Sequence, residues 1–553
     1  MTSLGEPTWF PSGNRTLEGW VHRPDDGRVV GAVVIAGPFA HEAQVTYRAL
    51  RVLAVEAARR GFVAVRFSWS GTGDSEPVPP GADLASTWLD DLTAAVRLAQ
   101  SASGVDAIDA IGVRFGAALV GSAATPLRTR VLWEPLTGRG FLRMQSSLLK
   151  MYLPAGFPLA AEGVELCGYA LDEADAASLR GLPDPRQAPR EDGSVVVLED
   201  DPEASAELFG GSPQDARVPL PTLERALDLL RPAPAATTLP EWSPAREAMT
   251  VDPLSGRRLR QTLVTVGPHR LPGIVTEPAD GLLAERAAIF IPFANEPKGM
   301  DRACRATSMR LGGDGVLTLR ADRRGIGDAA DPRDLAEVPT FTDEAVEDVA
   351  AFADWVADRT GRPVTGIGLC SGAWLVARAA ASTRLDRLVL VNNQAWSTSL
   401  RYWDRQARIF HGLRAAAVVD ADARLQVAST EAPALSRRLK AALRFGAPYA
   451  VRLRIFTPLG RDEIVETLLS SVPERTAISV LLGPTGDQRI WESARGADST
   501  RRLVRRGRRI TVRYDARTDH SLMSEAGFAS YLELLGHEFD RQAPAVSAGS
   551  GTA

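Results

Sequence analysis

Short apolar runs alternate with longer amphipathic stretches along most of the chain. In the second half, the apolar run 363–368 predicts a buried strand, and 373–381 predicts the helix that follows it. Each half opens on a β-hairpin pattern, with 17–24 resembling 271–278. Strands that alternate with helices are typical of a largely parallel sheet with helices on both faces. The pattern therefore predicts the α/β class.

The second half of the chain repeats features of the first. Pro38–Ala40 matches Pro292–Ala294, and Gly71–Asp74 matches Gly325–Asp328 at the same spacing. An internal repeat of this size predicts two tandem domains of one fold. We expect the two halves to pack as a pseudo-dimer within the chain.

Breaks in the strand and helix rhythm predict the domain boundaries. Two stretches, 138–190 and about 397–474, are mostly helical in pattern, and each is expected to form a cap over the active-site edge of its sheet. The predicted segments are 1–218 as a first α/β domain, 219–244 as a linker with a short helix and a Pro/Ala-rich stretch, 245–542 as a second α/β domain, and 543–553 as a disordered tail.

The composition argues against several classes of protein. The chain has 553 residues, a net charge of −4 and 45% hydrophobic residues, which is typical of a globular protein with several domains rather than of a polyanion binder. Its N-terminal segment lacks a signal sequence, and no stretch approaches the roughly 20 apolar residues of a membrane span. We therefore expect a cytoplasmic protein with no nucleic-acid partner and no transmembrane segment.

Cysteine is rare in the chain. Cys167, Cys304 and Cys370 are widely spaced and odd in number, which argues against a disulfide framework and against a zinc ribbon. The turn Gly325–Asp328 lacks the third glycine and the ribose-binding acid of a dinucleotide site. We predict neither a metal nor an organic cofactor. Cys370 remains available as a free thiol, whereas the other two cysteines are predicted to be packing residues.

Cys370 stands at the centre of Gly368–Gly372, a G-x-C-x-G segment between the predicted strand and helix. Such a turn is sharp and strained, so small residues must flank a nucleophile whose side chain projects over the edge of the sheet. A thiolate is favoured at the N-terminus of the helix that begins at Ser371. Cys370 is therefore the predicted nucleophile of a covalent acyl intermediate. Ser371 is an alternative nucleophile by residue type. It follows the centre of the turn, however, where the backbone is needed and the hydroxyl is expected to point away from the site.

The order of strand, elbow, cap, acidic strand end and late histidine resembles the α/β-hydrolase superfamily. The loop at 292–296 and the G-x-G-D turn at 325–328 resemble the exosortase-associated hydrolases, and the cysteine is similar to the nucleophile of dienelactone hydrolases. The resemblance implies a nucleophile, an acid and a histidine in chain order. The matching positions are Cys370, Asp487 and His520.

His520 follows a late predicted strand, where the base of such a triad belongs. It would accept the proton of Cys370, and Asp487 would fix the tautomer of the imidazole. Asp515 and Asp519 compete with Asp487 for this role. The first of them closes a strand and the second adjoins the histidine, so either is also suited to cap a turn. Its expected position at a strand end and the chain order favour Asp487.

The predicted oxyanion hole combines two backbone N–H groups. One belongs to Ser371, and the other belongs to Phe293 or Ala294, in the loop after the first long strand of the second half. Glu296 is expected to brace that loop.

The first half keeps the glycines of the elbow and loses its chemistry. In Gly112–Gly116 the central position holds Arg114, which cannot attack an acyl group. No histidine occurs between His41 and His269. The first half is therefore predicted to be a degenerate copy, retained for structure, for shaping the pocket, or for binding a carboxylate or phosphate at Arg114. The structural role is favoured.

A cysteine nucleophile suits activated acyl substrates, because a thioester intermediate exchanges readily with thioesters and is open to attack by amines and thiols. The leading hypothesis is a thioesterase or acyltransferase; the alternatives are an ester or lactone hydrolase with the same triad, and a non-catalytic scaffold. The expected substrate is an acyl-thioester or ester presented on a carrier protein or on CoA. Basic residues at 436–444 and 451–454 suit a phosphopantetheine arm, an acidic carrier protein or a lipid headgroup, although a solvated helix face is the favoured explanation.

Overall fold

The computed structural model describes residues 4–154, 156–160, 162–187, 194–210, 216–233, 236–293, 297–298, 302–331, 338–403, 405–406, 447–483 and 485–539. The chain divides into two compact units. Unit 1 comprises Met1–Val338 and Arg517–Ala553, and unit 2 comprises Pro339–Ala516. Each unit is described by itself.

The strands follow one another in chain order, with β1 to β16 in unit 1 and β17 to β20 in unit 2. Their bounds are β1 (Glu6–Ser12), β2 (Arg15–His22), β3 (Arg28–Val29), β4 (Gly31–Ala36), β5 (Phe62–Phe67), β6 (Ile108–Val113), β7 (Arg130–Trp133), β8 (Val164–Leu166), β9 (Tyr169–Leu171), β10 (Val195–Leu198), β11 (Thr237–Thr238), β12 (Glu247–Val251), β13 (Arg258–Val266), β14 (Leu271–Pro278), β15 (Ala287–Ile291), β16 (Leu317–Ala321), β17 (Val364–Leu369), β18 (Leu385–Val391), β19 (Ala477–Leu482) and β20 (Ile510–Tyr514).

The principal helices connect these strands, and α9 to α13 belong to unit 2. Their bounds are α1 (His41–Arg59), α2 (Leu84–Ser103), α3 (Phe115–Ser122), α4 (Gly138–Tyr152), α5 (Glu173–Arg180), α6 (Pro202–Phe209), α7 (Leu220–Asp228), α8 (Arg302–Gly313), α9 (Asp343–Thr360), α10 (Ser371–Ala379), α11 (Val465–Ser471), α12 (Thr485–Ser493), α13 (Gly496–Arg505) and α14 (Glu525–Phe539).

Unit 1 contains a seven-stranded sheet in the order β1-β2-β5-β4-β6-β7-β10. The hairpin β1-β2 and the pair β2-β5 are antiparallel, and the remaining pairs are parallel. Along β4, Val34 packs into one hydrophobic cluster and Ile35 into another. Because successive side chains of a strand point to opposite faces, both faces of this sheet are covered. Helices α2 and α3 cover one face, and α1 and α7 cover the other.

Five further strands of unit 1 follow the order β12-β13-β14-β16-β15. The pair β15-β16 is parallel, and the others are antiparallel. In unit 2, the four strands β17-β18-β19-β20 are all parallel to their neighbours. The predicted α/β class, with mostly parallel strands flanked by helices, is confirmed.

The predicted cap of the first half is less helical than expected. Helices α4 and α5 lie in it, but they flank the antiparallel pair β8-β9, whose three-residue strands are too short to show an alternating pattern. In the second half, most of the predicted cap (404 and 407–446) lies outside the described residues, as does the predicted tail 543–553. The basic stretch 436–444 lies there too.

The predicted linker helix is observed as α7, and it is part of the core. Leu223 and Leu227 of α7 are buried in the same cluster as Ile35. Further along, β11 pairs with β3. The helix and the strand pairing therefore fasten much of the segment 219–244 to the first half of the chain.

Candidate active site

Cys370 lies between β17 and α10, at the centre of a strand-to-helix turn. Its backbone has φ 51° and ψ −114°, a left-handed φ that costs energy for any residue with a side chain. The turn also requires glycine before it, because a Cβ at Gly368 would lie 2.3 Å from the carbonyl oxygen of Gly372. The thiol side chain is half-buried. This backbone is the elbow that the sequence predicts.

The ends of the parallel strands in unit 2 lie at one edge of the sheet. The N–H of Cys370 donates to Val391 O at 2.8 Å, and the N–H of Asn392 donates to Leu481 O at 2.8 Å. One strand further, the N–H of Asp515 donates to Leu482 O. The chain thus leaves β17, β18 and β19 at the same edge, which is where α/β proteins bind ligands.

Asp487 lies in the first turn of α12 and is buried. It was expected at a strand end, and it follows the end of β19 by a short connection instead. Its Oδ1 accepts a hydrogen bond of 2.6 Å from Gln394 Nε2. Sequence reasoning missed Gln394, although the polar run 392–394 directly after a buried strand was a signal for it.

The other residues considered for the acid and the base differ in their surroundings. Asp519 accepts hydrogen bonds from Met523 N at 2.9 Å, from Ser524 N at 3.0 Å and from Ser524 Oγ at 2.6 Å, so its carboxylate caps a turn. Asp515 is half-buried directly after β20. His520 is half-buried in a turn and belongs to unit 1, whereas Cys370 and Asp487 belong to unit 2.

The predicted oxyanion donors come from two different elements. Ser371 is buried and is the first residue of α10, so its N–H belongs to the first turn of that helix. Phe293 is half-buried just after β15. Ala294 and Glu296 lie outside the described residues.

The elbow of the first half has the same backbone with a different side chain. Arg114 has φ 55° and ψ −115°, and its guanidinium lies 2.8 Å from Glu42 Oε1 and 3.6 Å from Glu134 Oε2. It also lies 4.5 Å from the ring centroid of Phe209. Two carboxylates already neutralise this cation, so the arrangement favours the structural role over binding of an external anion.

Burial is the main cause of the shifted pKa values of Glu42 and His41, beside the first elbow. It raises the pKa of Glu42 to about 6, although the adjacent Arg114 works in the opposite direction. It also lowers the pKa of His41 to about 4. The carboxyl group of Glu42 is therefore partly protonated near neutrality even though it is paired with a cation.

The two remaining cysteines are buried. Burial, reinforced by the negative charge of Asp519, raises the pKa of Cys167 to about 12. Cys304 lies within α8 and is fully buried. Cys167 and Cys304 are therefore suited to packing, and Cys370 is the most accessible thiol of the three.

The described residues were compared with what a metal site and a membrane-spanning helix require. Among them, no group of three or more His, Cys, Asp or Glu side chains is arranged to hold a metal ion. None of the helices in the described part of the chain is both long enough and apolar enough to cross a membrane.

No family model matches the chain, and no curated protein matches it significantly. The chain is similar to a dienelactone hydrolase from Anabaena variabilis, at 13% identity over 51% of this chain and 97% of that chain, with a TM-score of 0.32. It is similar to an α/β serine hydrolase without a lid from Xanthomonas campestris, at 15% identity over 56% of this chain and 100% of that chain, with a TM-score of 0.31. An esterase from Pyrococcus furiosus is similar at 11% identity over 51% of this chain and 92% of that chain, with a TM-score of 0.30. Likenesses at these identities and TM-scores do not establish a function for this chain.

Proposed function

We propose that the chain is an acyl-transferring enzyme of the α/β-hydrolase type, acting on an activated acyl substrate through a Cys370, His520 and Asp487 triad. The thiol of Cys370 carries the proposal. It is half-exposed, it stands at the centre of an elbow, and it heads α10, where the positive end of the helix dipole favours a thiolate.

The proposed reaction has two steps. In the first, the Cys370 thiolate attacks the acyl carbonyl carbon, the carbonyl electron pair moves to oxygen, and the resulting oxyanion collapses to expel the leaving group, which His520 protonates. In the second, water or another acceptor attacks the acyl-cysteine while His520 takes up its proton, and the thiolate is regenerated. Asp487 stabilises the imidazolium in both steps.

The proposed oxyanion donors are the N–H groups of Ser371 and Phe293. Backbone donors suit this task because they need no reorganisation as the charge develops. The helix that begins at Ser371 adds a favourable dipole at the same point. Ala294 remains an alternative to Phe293 for the second donor.

A thioester is the preferred substrate class. Transfer of an acyl group from one sulfur to another is nearly balanced in energy, so a cysteine enzyme can react with thioesters without a large thermodynamic barrier. We propose an acyl-thioester carried on CoA or on a carrier protein. Ester and lactone substrates are the alternative, and they require the same acyl-cysteine.

The test is intact-mass spectrometry of the full chain after exposure to acetyl-CoA, 4-nitrophenyl acetate and a simple lactone. We expect an acyl adduct that maps to Cys370 and forms fastest with the thioester. Cys304→Ala and Cys167→Ala are matched controls, since both thiols are buried and neither change should affect labelling. Equal labelling of Cys370→Ala, or no adduct with any donor, would favour a non-catalytic scaffold.

A further inference from the structure

Unit 1 contains a buried cluster of charged side chains that the proposed chemistry does not use. Lys298 Nζ lies 3.5 Å from Asp322 Oδ2 and 3.5 Å from Asp328 Oδ2. The backbone N–H of Lys298 donates to Asp322 Oδ1 at 2.7 Å. Burial disfavours the charged amine, but the two carboxylates outweigh it and raise the pKa of Lys298. Lys298 is therefore held by both its backbone and its side chain.

Residues of the first half of the chain hold Asp328 in turn. The Tyr47 hydroxyl donates to Asp328 Oδ2, and Arg66 Nη2 donates to Asp328 Oδ1. Arg51 Nε lies 3.6 Å from Asp328 Oδ1, and Arg51 donates to the carbonyls of Asp328 and Ala330. The Asp328 side chain is fully buried. Charge-assisted hydrogen bonds in such a site are strong and fix the geometry of their partners.

The position of Lys298 in the chain connects this cluster with the proposed oxyanion hole. β15 ends at Ile291, and Lys298 lies between this strand and α8, which begins at Arg302. Phe293, the proposed backbone donor, lies between these two points. A donor of this kind is effective only if it is held in place before the oxyanion forms. β15 fixes the chain before Phe293, and the buried cluster fixes it after Phe293, at Lys298.

The matching positions of the first half lack this lysine and aspartate pair. At the spacing that relates the two halves, Gln44 corresponds to Lys298 and Ser68 corresponds to Asp322. The pair is therefore found in the half that carries the cysteine elbow. This distribution is expected if the pair serves the reaction rather than the fold that both halves share.

We propose that the first half of the chain positions the backbone donor at Phe293, through Tyr47, Arg66 and Asp328 acting on Lys298. The inference rests on the proposed function. It gives the half without a nucleophile a part in the reaction. Lys298 and Asp328 are positioning residues in this proposal, since neither is assigned a contact with the substrate.

The chain offers a matched control for this proposal. Arg320 Nη1 donates to Asp74 Oδ1, and the two side chains are 1% and 0% exposed. These residues correspond to Arg66 and Asp328 with the halves exchanged. Among the described ion pairs, Asp74 joins Arg320 and does not join Lys298. A change at Asp74 therefore removes a similar buried pair and leaves the ion pairs of Lys298 with Asp322 and Asp328 in place.

The experiment compares two reactions of Cys370 in the full chain. 4-Nitrophenyl acetate acylates the thiol through an oxyanion, whereas iodoacetamide alkylates it by displacing iodide from a saturated carbon. We expect Lys298→Met to slow acylation about 10- to 100-fold, with alkylation within about twofold of wild type and half-saturation unchanged, because a misplaced donor affects only the step that forms an oxyanion. Lys298→Arg should recover part of the acylation rate.

Three further variants make the result decisive. Asp74→Asn should lower the melting temperature as much as Asp328→Asn does, while leaving acylation unchanged. Tyr47→Phe deletes one donor to Asp328, keeps the ring, and should slow acylation several-fold without affecting alkylation; it decides the question if Lys298→Met fails to fold.

The outcomes separate this inference from the proposed function. The inference is overturned if acylation and alkylation fall together in the Lys298 and Tyr47 variants, if Asp74→Asn slows acylation as much as Lys298→Met, or if none of the variants slows acylation. A wild type that is alkylated but never acylated contradicts the proposed function, and the inference with it.

Discussion

The two elbows of this chain have nearly the same backbone and opposite chemistry. Arg114 has φ 55° and ψ −115°, and Cys370 has φ 51° and ψ −114°. Each residue follows a buried parallel strand and heads a helix. One side chain is a half-exposed thiol, and the other is a guanidinium paired with Glu42 and Glu134. The strained turn therefore persists where no nucleophile needs it.

This comparison separates what the fold requires from what the reaction requires. The glycines of each elbow are required by close backbone packing, since a Cβ at Gly112 would lie 2.6 Å from Ala117 Cα and one at Gly368 would lie 2.3 Å from Gly372 O. The central side chain is free of that requirement. A G-x-x-x-G elbow is thus evidence for the fold, and the chemistry has to be argued from the central residue and its partners.

The largest expected effect is at the centre of the elbow. Cys370→Ala should reduce acyl-adduct formation by more than about 10³-fold, because it removes the atom that attacks. Arg114→Cys, made together with Cys370→Ala, places a thiol on the same backbone but should form no adduct, since no histidine follows position 114 in the first half. Intact-mass spectrometry with acetyl-CoA measures both. An adduct on the thiol introduced at position 114 would show that the backbone of the elbow alone is sufficient for acylation.

Removing the arginine of the first elbow should affect stability rather than chemistry. Arg114→Leu leaves the buried carboxyl of Glu42 without its cation, which is expected to cost about 3 kcal/mol of unfolding free energy. Urea unfolding measures the loss, and acylation of Cys370 should stay at the wild-type rate. The double variant Arg114→Leu, Glu42→Gln should recover part of the stability. If acylation fell with stability intact, the first elbow would have a role in the reaction.

The glycines should be required equally in both elbows. Gly112→Ala and Gly368→Ala each force a Cβ against backbone atoms, and we expect each to destabilise the chain by about 2–3 kcal/mol in urea unfolding. Gly121→Ala, in the same helix as the first elbow, meets its nearest atom at 3.4 Å and should be neutral or slightly stabilising. A large loss of unfolding free energy at one elbow and none at the other would contradict the interpretation that both elbows need these glycines for the same steric reason.

The buried Glu42 predicts a pH dependence of stability that is specific to the first elbow. Its pKa is raised to about 6 in the folded chain, so the folded state holds the proton more tightly than the unfolded state does. Its contribution is present in full below the unfolded pKa and is lost as the pH rises through about 6. Relative to Glu42→Gln, the wild type should lose up to about 2 kcal/mol between pH 4.5 and pH 6.5. Urea unfolding of both proteins across this range measures the difference, and a constant difference would contradict it.

Local patterns in the sequence predicted the parts of the fold that local forces determine. The strand expected at 363–368 is observed as β17, and the helix expected at 373–381 is observed as α10, which begins at Ser371. The strand and the helix both follow from an apolar run in the sequence and from glycines that are required for steric reasons. Asp487 was placed at a strand end and lies inside a helix, because a carboxylate is equally favourable in the first turn of a helix.

The buried charge cluster could not be predicted in the same way. Lys298, Asp322 and Asp328 are charged residues, which are normally found at the surface, and their pairing depends on side chains from the other half of the chain. The G-x-G-D turn was recognised as a recurring segment, yet nothing local indicates that its aspartate meets Arg66. Contacts between residues so distant in sequence depend on how the chain packs, and a short segment of sequence does not determine that packing.

The smallest expected effect concerns the partner of each acid. In the second half, Gln394 Nε2 donates to Asp487 Oδ1 at 2.6 Å. In the first half, Asp200 follows β10 as Asp487 follows β19, and Trp133 Nε1 donates to its Oδ2 at 2.9 Å. Gln394→Met keeps the volume and removes the donor, and we expect acylation of Cys370 to slow about tenfold with little change in melting temperature, because the acid loses its orientation.

The pH dependence of Cys370 alkylation distinguishes positioning from a structural role of Gln394. If Gln394 orients the acid that supports His520, its loss should shift the midpoint of that profile, whereas a purely structural effect would leave the midpoint in place and lower only the melting temperature. Trp133→Phe is the matched change at Asp200. It should lower stability by about 1 kcal/mol and leave both the rate and the profile unchanged, because the first elbow has no nucleophile for its acid to support.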